Sequence, residues 1–302
     1  PLGRDLEEDA ESPLLNRAIE RTYPPGSTFK IVTAAAALEA GLASPSTVFD
    51  DPGELQLPGS TATISNADGE PCNDGVEATL EQAFVRSCNT IFASLGMEVG
   101  AVRLAETAEA FGFNQSIPFD LDVITSPFPN ARSFASDLPA TAQNSLGQRD
   151  VRATPMQMAL TATAIANGGE IMVPHVVADV FRSDGTVESS VSPVLWRRAV
   201  SPATAAVLSD LMERAVISGT GKRAAVPGIR IAGKTGTAEV VDGPPHAWFI
   251  GFGPVDAAAD EPQLAVAVVV ESGGDFGETA SGGSVAAPIA QAVFAAFFGV
   301  DG

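Results

Sequence analysis

Ser27 and Lys30 stand three residues apart in Tyr23-Pro24-Pro25-Gly26-Ser27-Thr28-Phe29-Lys30, and three residues is close to one turn of a helix. An alcohol with an amine on the same helical face is a nucleophile with a base beside it. At its ordinary pKa of about 10.4 the amine would be charged and useless as a base, so the site must depress it by burial or by a second cation. The elements must supply that setting. Two prolines and a glycine hold a rigid turn, and Ile31 to Ala40 has strong helix propensity until Gly41 stops it. Ser27 is therefore predicted at a helix start, where free N–H groups and the positive dipole end face anything bonded to its oxygen.

Two further short motifs follow in order, Ser87-x-Asn89 and Lys234-Thr235-Gly236. With the first they suit acyl transfer. Ser27 attacks a carbonyl, neutral Lys30 takes its proton, and Ser87 relays the proton toward a leaving amine, which makes these three the catalytic candidates. Asn89 carries an amide donor and acceptor for a substrate backbone. Lys234 places a positive charge that favours the neutral form of Lys30 and draws a carboxylate. Gly236 lets a ligand approach a strand edge, so Asn89, Lys234, Thr235, Gly236 and Thr237 form the expected substrate-binding set. The N–H groups of Ser27 and Thr237 are the candidate oxyanion hole.

Composition narrows the rest. The 302 residues carry a net charge of −20, which argues against nucleic acid or an anionic membrane surface, since both need a cationic footprint. Of 17 basic residues only Lys30, Lys222 and Lys234 are lysine; a chain that otherwise favours arginine keeps, beside Ser27, a group able to become neutral. Cys72 and Cys88 have no Cys-x-x-Cys spacing and no histidine cluster, so no metal and no cofactor is expected. Spacing alone leaves open whether they are bridged or two buried thiols. No apolar run reaches membrane-spanning length. Pro1-Leu2-Gly3 reads as a tag-cleavage scar, and residues 1–13 as scar and linker.

The pattern along the chain predicts short irregular pieces from Ser44 to Gly75 with at most a small hairpin. A capping box at Thr79 and Gln82 opens a helix that ends near Ser87, and helices follow at Thr90 to Met97 and Val102 to Phe111. Thr154-Pro155 opens a helix that runs to Asn167. Strand signals come at Val176 to Phe181 and Val187 to Val191, and a long helix at Pro202 to Ser218. An antiparallel meander follows at Ile229 to Val241, Ala247 to Gly253 and Leu264 to Glu271. Gly273 to Ser284 reads as a glycine-rich loop and Val285 to Phe298 as an apolar helix.

Each motif alone is weak; together, at a helix start, at a helix break and on a strand, they match the set found in penicillin-binding proteins and class A β-lactamases. The chain resembles the transpeptidase domain of a class B penicillin-binding protein of the actinobacterial type from Leu14 onward, including Gly147-Gln148, Asn167-Gly168-Gly169, Trp248-Phe249-Ile250-Gly251 and Gly282 to Pro288. The resemblance implies an α/β (α+β) serine β-lactamase/transpeptidase-like fold over residues 14–302, with an antiparallel sheet flanked by helices and an adjoining all-helical lobe at about residues 43–165. It also implies stem peptides ending in D-Ala-D-Ala, acyl-enzyme formation, transfer to a peptide amine and inhibition by β-lactams. Further implications are a place on the extracytoplasmic face of the bacterial cell membrane, cell-wall assembly or division proteins met through parts outside this chain, a native anchor outside it too, and a Cys72–Cys88 disulfide. Arg149 departs from relatives that often carry a small residue there.

Rival readings fare worse. Gly228 to Thr235 fits the letters of a phosphate-binding loop, but Ile229-Arg230-Ile231 is strand-like and no helix can follow. A Ser-His-Asp hydrolase would need His175 or His246, and neither has a nucleophile elbow. A β-lactamase or β-lactam sensor of the same fold, and a D,D-carboxypeptidase, share the acylation machinery; no glutamate pattern for class A deacylation is found.

Overall fold

The computed structural model describes residues 12–241, 243–258 and 263–300, with Asp9 and Glu261. Most of the expected scar and linker, and Asp242 in the turn of the meander, lie outside the described residues. The helices that matter are α1 (Lys30–Glu39), α2 (Leu80–Arg86), α3 (Asn89–Ala110), α4 (Leu138–Ser145), α5 (Pro155–Ala166), α6 (Pro202–Ile217) and α7 (Ala287–Phe298). Of the strands, β1 (Val48–Asp50) pairs with β4 (Glu77–Thr79), and β2 (Glu54–Gln56) with β3 (Thr63–Ser65). Downstream, β5 (Glu170–Met172) pairs with β8 (Leu195–Arg198), and β6 (Asp179–Phe181) with β7 (Val187–Ser190).

The meander is β9 (Ala232–Val240), β10 (Gly243–Gly253) and β11 (Leu264–Val270), an antiparallel sheet in the order β11-β10-β9. Gly236 lies opposite Trp248 and Lys234 opposite Ile250, so the third motif sits on β9 at one margin of the sheet. Two bounds differ from expectation. Ile229 bridges back to Val226 instead of opening β9, and β10 starts at Gly243, accommodating its two prolines with a shift of register between Gly243 and His246; proline is tolerated at strand starts and bulges, where no ladder donor is required.

Helix α1 is buried on all sides from Lys30 to Ala37. Its run of alanines explains this, because small side chains let one helix sit close to α3 and α6 at once without losing helix propensity. A position without a Cβ tightens the same packing: a Cβ on Gly96 of α3 would meet Ser145 at 2.2 Å, and Thr33 of α1 donates to the Ser145 carbonyl at 2.7 Å.

The stretch 43–165 is not all-helical. It holds α2 to α5 but also two small two-stranded sheets, β1–β4 and β2–β3. Strands of three residues leave almost no periodicity in a sequence, and their pairing is set here by buried Asp51, whose carboxylate accepts from the N–H groups of Cys72, Asn73 and Gly75 at 2.8, 2.6 and 3.3 Å. Thr79 forms the expected capping box with Gln82. The two helices expected on either side of Gly100 run on as α3, interrupted at Gly100 by its φ of 81°.

Candidate active site

Ser27 lies in a 3₁₀ turn, Gly26–Phe29, that leads directly into α1. The turn is fixed from three directions: Gly26 N–H donates to the Gly147 carbonyl at 3.0 Å, Thr28 Oγ1 to Pro25 O at 2.7 Å, and Trp248 Nε1 to Pro24 O at 3.0 Å. Gly26 has a φ of +54°, and a Cβ there would stand 2.7 Å from Thr237 O. A Cβ on Gly236 would stand 2.8 Å from Pro25 O. Glycine is required at both places because the backbone of β9 lies directly against the serine turn, and this contact brings the first and third motifs together.

Lys30 has no exposed surface. Its Nζ donates to Ser87 O and to Asn89 Oδ1, each at 2.7 Å, and lies 3.3 Å from Ser87 Oγ. The amine is thus hydrogen-bonded to the second motif, not to Ser27. Burial, and then the charge of Lys234, hold its pKa well below the ordinary lysine value. A neutral amine has two N–H groups and one lone pair. The two acceptors at 2.7 Å use both N–H groups, which leaves the lone pair to receive a hydroxyl proton.

Lys234 is equally buried, and burial pulls its pKa down to about 7. Its Nζ donates to Ser87 Oγ at 2.8 Å and to Thr235 O at 3.1 Å. The rings of Phe92 and Phe84, both fully buried, lie against the two amines at 5.5 and 5.8 Å and keep water from them. Ser87 Oγ is therefore held between two lysines. Its backbone closes α2 in the left-handed region, φ 64° and ψ 42°, a conformation uncommon for a residue with a Cβ and typical of functional positions.

Asn89 opens α3. Its Oδ1 accepts from Lys30, while its Nδ2 donates to Ser65 O at 2.9 Å. The residue before it, Cys88, occupies the N-cap position and offers no side-chain cap. Asn66 supplies one from a distance: its Oδ1 accepts from Asn89 N, Thr90 N and Thr90 Oγ1 at 2.7, 3.1 and 3.2 Å. The Asn66 amide is itself held by donation to Pro52 O and Glu70 O. Cys88 is disulfide-bonded to Cys72, which ties the middle of the second motif to the loop that Asp51 anchors.

Thr235 Oγ1 and Thr220 Oγ1 share a hydrogen bond at 2.6 Å, and Thr237 Oγ1 accepts from Gly282 N–H at 3.4 Å. All the residues expected from the three motifs thus converge. Asn66 and Thr220 were not expected. The one hint of Asn66 in the sequence is the lack of a capping residue before Asn89; Thr220 gives none.

A buried lysine pair around a serine hydroxyl, set against a serine-bearing turn and a strand margin, has the chemical groups that serine acyl transfer requires. The sequence matches the family described as penicillin binding protein transpeptidase domain over residues 4–295, and the chain belongs to that family. It is 46% identical over 299 residues to the peptidoglycan D,D-transpeptidase PbpA of Mycolicibacterium smegmatis, covering 96% of this chain and 58% of that protein. Identity to PbpA of Mycobacterium tuberculosis is 44% over 298 residues, with the same coverage. The fold superposes on penicillin-binding protein A from M. tuberculosis, solved as a ceftriaxone acyl-enzyme complex, with a TM-score of 0.90 at 43% identity, covering 97% of this chain and 65% of that one. For the penicillin G acyl-enzyme complex the TM-score is 0.88 at 44% identity, covering 98% and 66%. The fold is the serine β-lactamase/transpeptidase-like fold that the motifs implied. The chain spans 58% of the length of these curated relatives.

Proposed function

We propose that this chain is the catalytic domain of a peptidoglycan D,D-transpeptidase that works through an acyl-enzyme on Ser27 and is blocked by β-lactams. The observation that carries this reading is the seat of Ser87 Oγ between two buried lysine amines, 3.3 Å from Lys30 and 2.8 Å from Lys234. The named activity of the relatives and their β-lactam acyl-enzymes support it.

In this reading the donor is a stem peptide ending in D-Ala-D-Ala. Ser27 Oγ bonds to the penultimate carbonyl carbon as its proton passes to the lone pair of Lys30. The N–H groups of Ser27 and Thr237 hold the oxyanion, and Lys234 with Thr235 draws the terminal carboxylate. Ser87 hands its proton to the departing nitrogen and takes from Lys30, 3.3 Å away, the one that Lys30 received from Ser27; the C–N bond breaks, D-Ala leaves, and Lys30 is neutral again. An amine of a second peptide then attacks the ester: a new C–N bond forms, the C–O bond to Ser27 breaks, and the amine proton returns to Ser27 through Lys30. Asn89 and the margin of β9 at Gly236 and Thr237 hold the donor backbone as an added strand. Cell-wall assembly proteins as partners, and work at the outer face of the cytoplasmic membrane, belong to the same proposal.

The test is intact mass after brief exposure to penicillin G, followed by peptide mapping. One adduct per chain on Ser27, persisting after the free drug is removed, is the expected result. An unchanged mass or a label elsewhere overturns the serine assignment, and rapid loss of the label points to a β-lactamase.

A further inference from the structure

Beside the catalytic cleft lies a second pocket of about 490 Å³, lined by Arg86, Thr220, Lys222, Arg223, Ser284 and their glycine neighbours. Its position follows from the site already described. Arg86 ends α2 one residue before Ser87. Thr220 N–H donates to Val85 O at 3.3 Å, and its hydroxyl meets that of Thr235 at 2.6 Å. Glycines make the walls backbone: a Cβ on Gly219 would stand 2.3 Å from Val85 O, and one on Gly283 would stand 2.6 Å from Thr220 O. The pocket thus adjoins Ser87 through Arg86 and Thr235 through Thr220.

Its charge is at odds with the molecule. The chain carries −20 overall, yet three cations and no carboxylate line this pocket. Elsewhere Arg149, Arg198, Arg214 and Arg230 each meet an acidic side chain. Arg86, Lys222 and Arg223 meet none among the described residues; Arg223 donates to the Ser284 carbonyl at 3.3 Å. All three are solvent-exposed, and three like charges around one open pocket favour an anion there, most strongly at low salt.

From this pocket we infer that it binds a carboxylate of the acceptor peptide, steering the attacking amine toward the Ser27 ester. The inference rests on the transpeptidase reading and deepens it. Lys234 and Thr235 serve a carboxylate one carbon from the scissile nitrogen. A charge held further out, among Arg86, Lys222 and Arg223, belongs to a longer side chain whose amine is the nucleophile. In the step itself the amine nitrogen bonds to the acyl carbon, the bond from that carbon to Ser27 oxygen breaks, and the amine proton passes to the serine; the carboxylate reacts with nothing and serves to orient.

The experiment compares two acceptors of an acyl-enzyme made from a thioester donor: Nα-acetyl-lysine, which has a free carboxylate, and Nα-acetyl-lysinamide, which lacks it. The parent protein is expected to use the carboxylate form with kcat/KM about tenfold higher at low salt, a preference that shrinks as salt is added. The combined variant Arg86→Gln, Lys222→Gln, Arg223→Gln is expected to treat the two alike while its acylation by penicillin G stays within about twofold. Equal use of the two acceptors by the parent, or an undiminished preference in the variant, overturns the pocket and leaves the serine assignment standing. Independently of turnover, Nα-acetyl-lysine added to the Ser27→Ala protein should shift the side-chain NMR signals of Arg86 and Arg223. Silence there also overturns the pocket.

Discussion

Lys30 has to be neutral and Lys234 has to be charged for the proposed chemistry, and burial acts on both. The consequence for Lys30 is direct. A guanidinium cannot act as a base, so Lys30→Arg should lower the rate of Ser27 acylation by about 10²- to 10⁴-fold, read as penicillin labelling against time; near-normal labelling would remove Lys30 from the mechanism. For Lys234 the sign runs the other way. With its pKa near 7, it is charged below that pH and neutral above it. Acylation by a substrate that carries a carboxylate should fall as pH rises through about 7, whereas a carboxylate-esterified analogue should lack that limb. The pH dependence of kcat/KM for the two, which reports the free enzyme, separates the cases. Ser87 joins strain to function. Ser87→Gly relieves the left-handed backbone at 64° and should leave stability unchanged or raise it by up to about 1 kcal/mol, yet it removes the relay and should slow acylation by about 100-fold or more. A variant that is both destabilised and fully active would contradict the assignment.

At the scale of elements, the second motif stands where it does because three things hold the start of α3: Asn66, the Cys72–Cys88 bridge and the close of α2. Asn66→Ala removes a cap shared by two backbone N–H groups and should cost about 1–2 kcal/mol in denaturant unfolding, with slower acylation because Asn89 loses its seat. The double variant Cys72→Ser, Cys88→Ser opens a loop of sequence separation 16 and should cost about 3 kcal/mol on the chain-entropy account; no change in the unfolding midpoint would contradict that. The same region shows which parts of the molecule a sequence reveals. Serine, lysine and asparagine at their spacings are legible because a helix or strand fixes the geometry of near neighbours. The capping box at Thr79 and the proline start of α5 are legible for the same reason. Asn66 is not, since its work is done 23 residues away. Nor is the pairing of β1 with β4, because three-residue strands show no alternation. Arg149, a departure on the sequence, stands at a φ of 58° that favours glycine, and its guanidinium pairs with Asp137 and Asp150.

On the scale of the whole molecule, the largest core runs without a break from α1 through the helices of residues 43–165 to Trp248 and Ile250 of β10. The cleft therefore does not lie between two parts that could melt alone. Calorimetry should show a single endotherm, and two well-separated ones would contradict a shared core. The sheet and the apolar helices were evident from alternation and propensity, but the continuity of that core was not, because it depends on which faces meet. The scarcity of lysine has a practical side. Lys30 and Lys234 are wholly enclosed, so an amine-reactive dye applied to the folded protein has, among the lysines, Lys222 alone to modify, and Lys222 lines the cationic pocket. Apart from the chain's own amino terminus, one fluorophore would then sit at the mouth of that pocket, an optical reporter installed without altering a single codon.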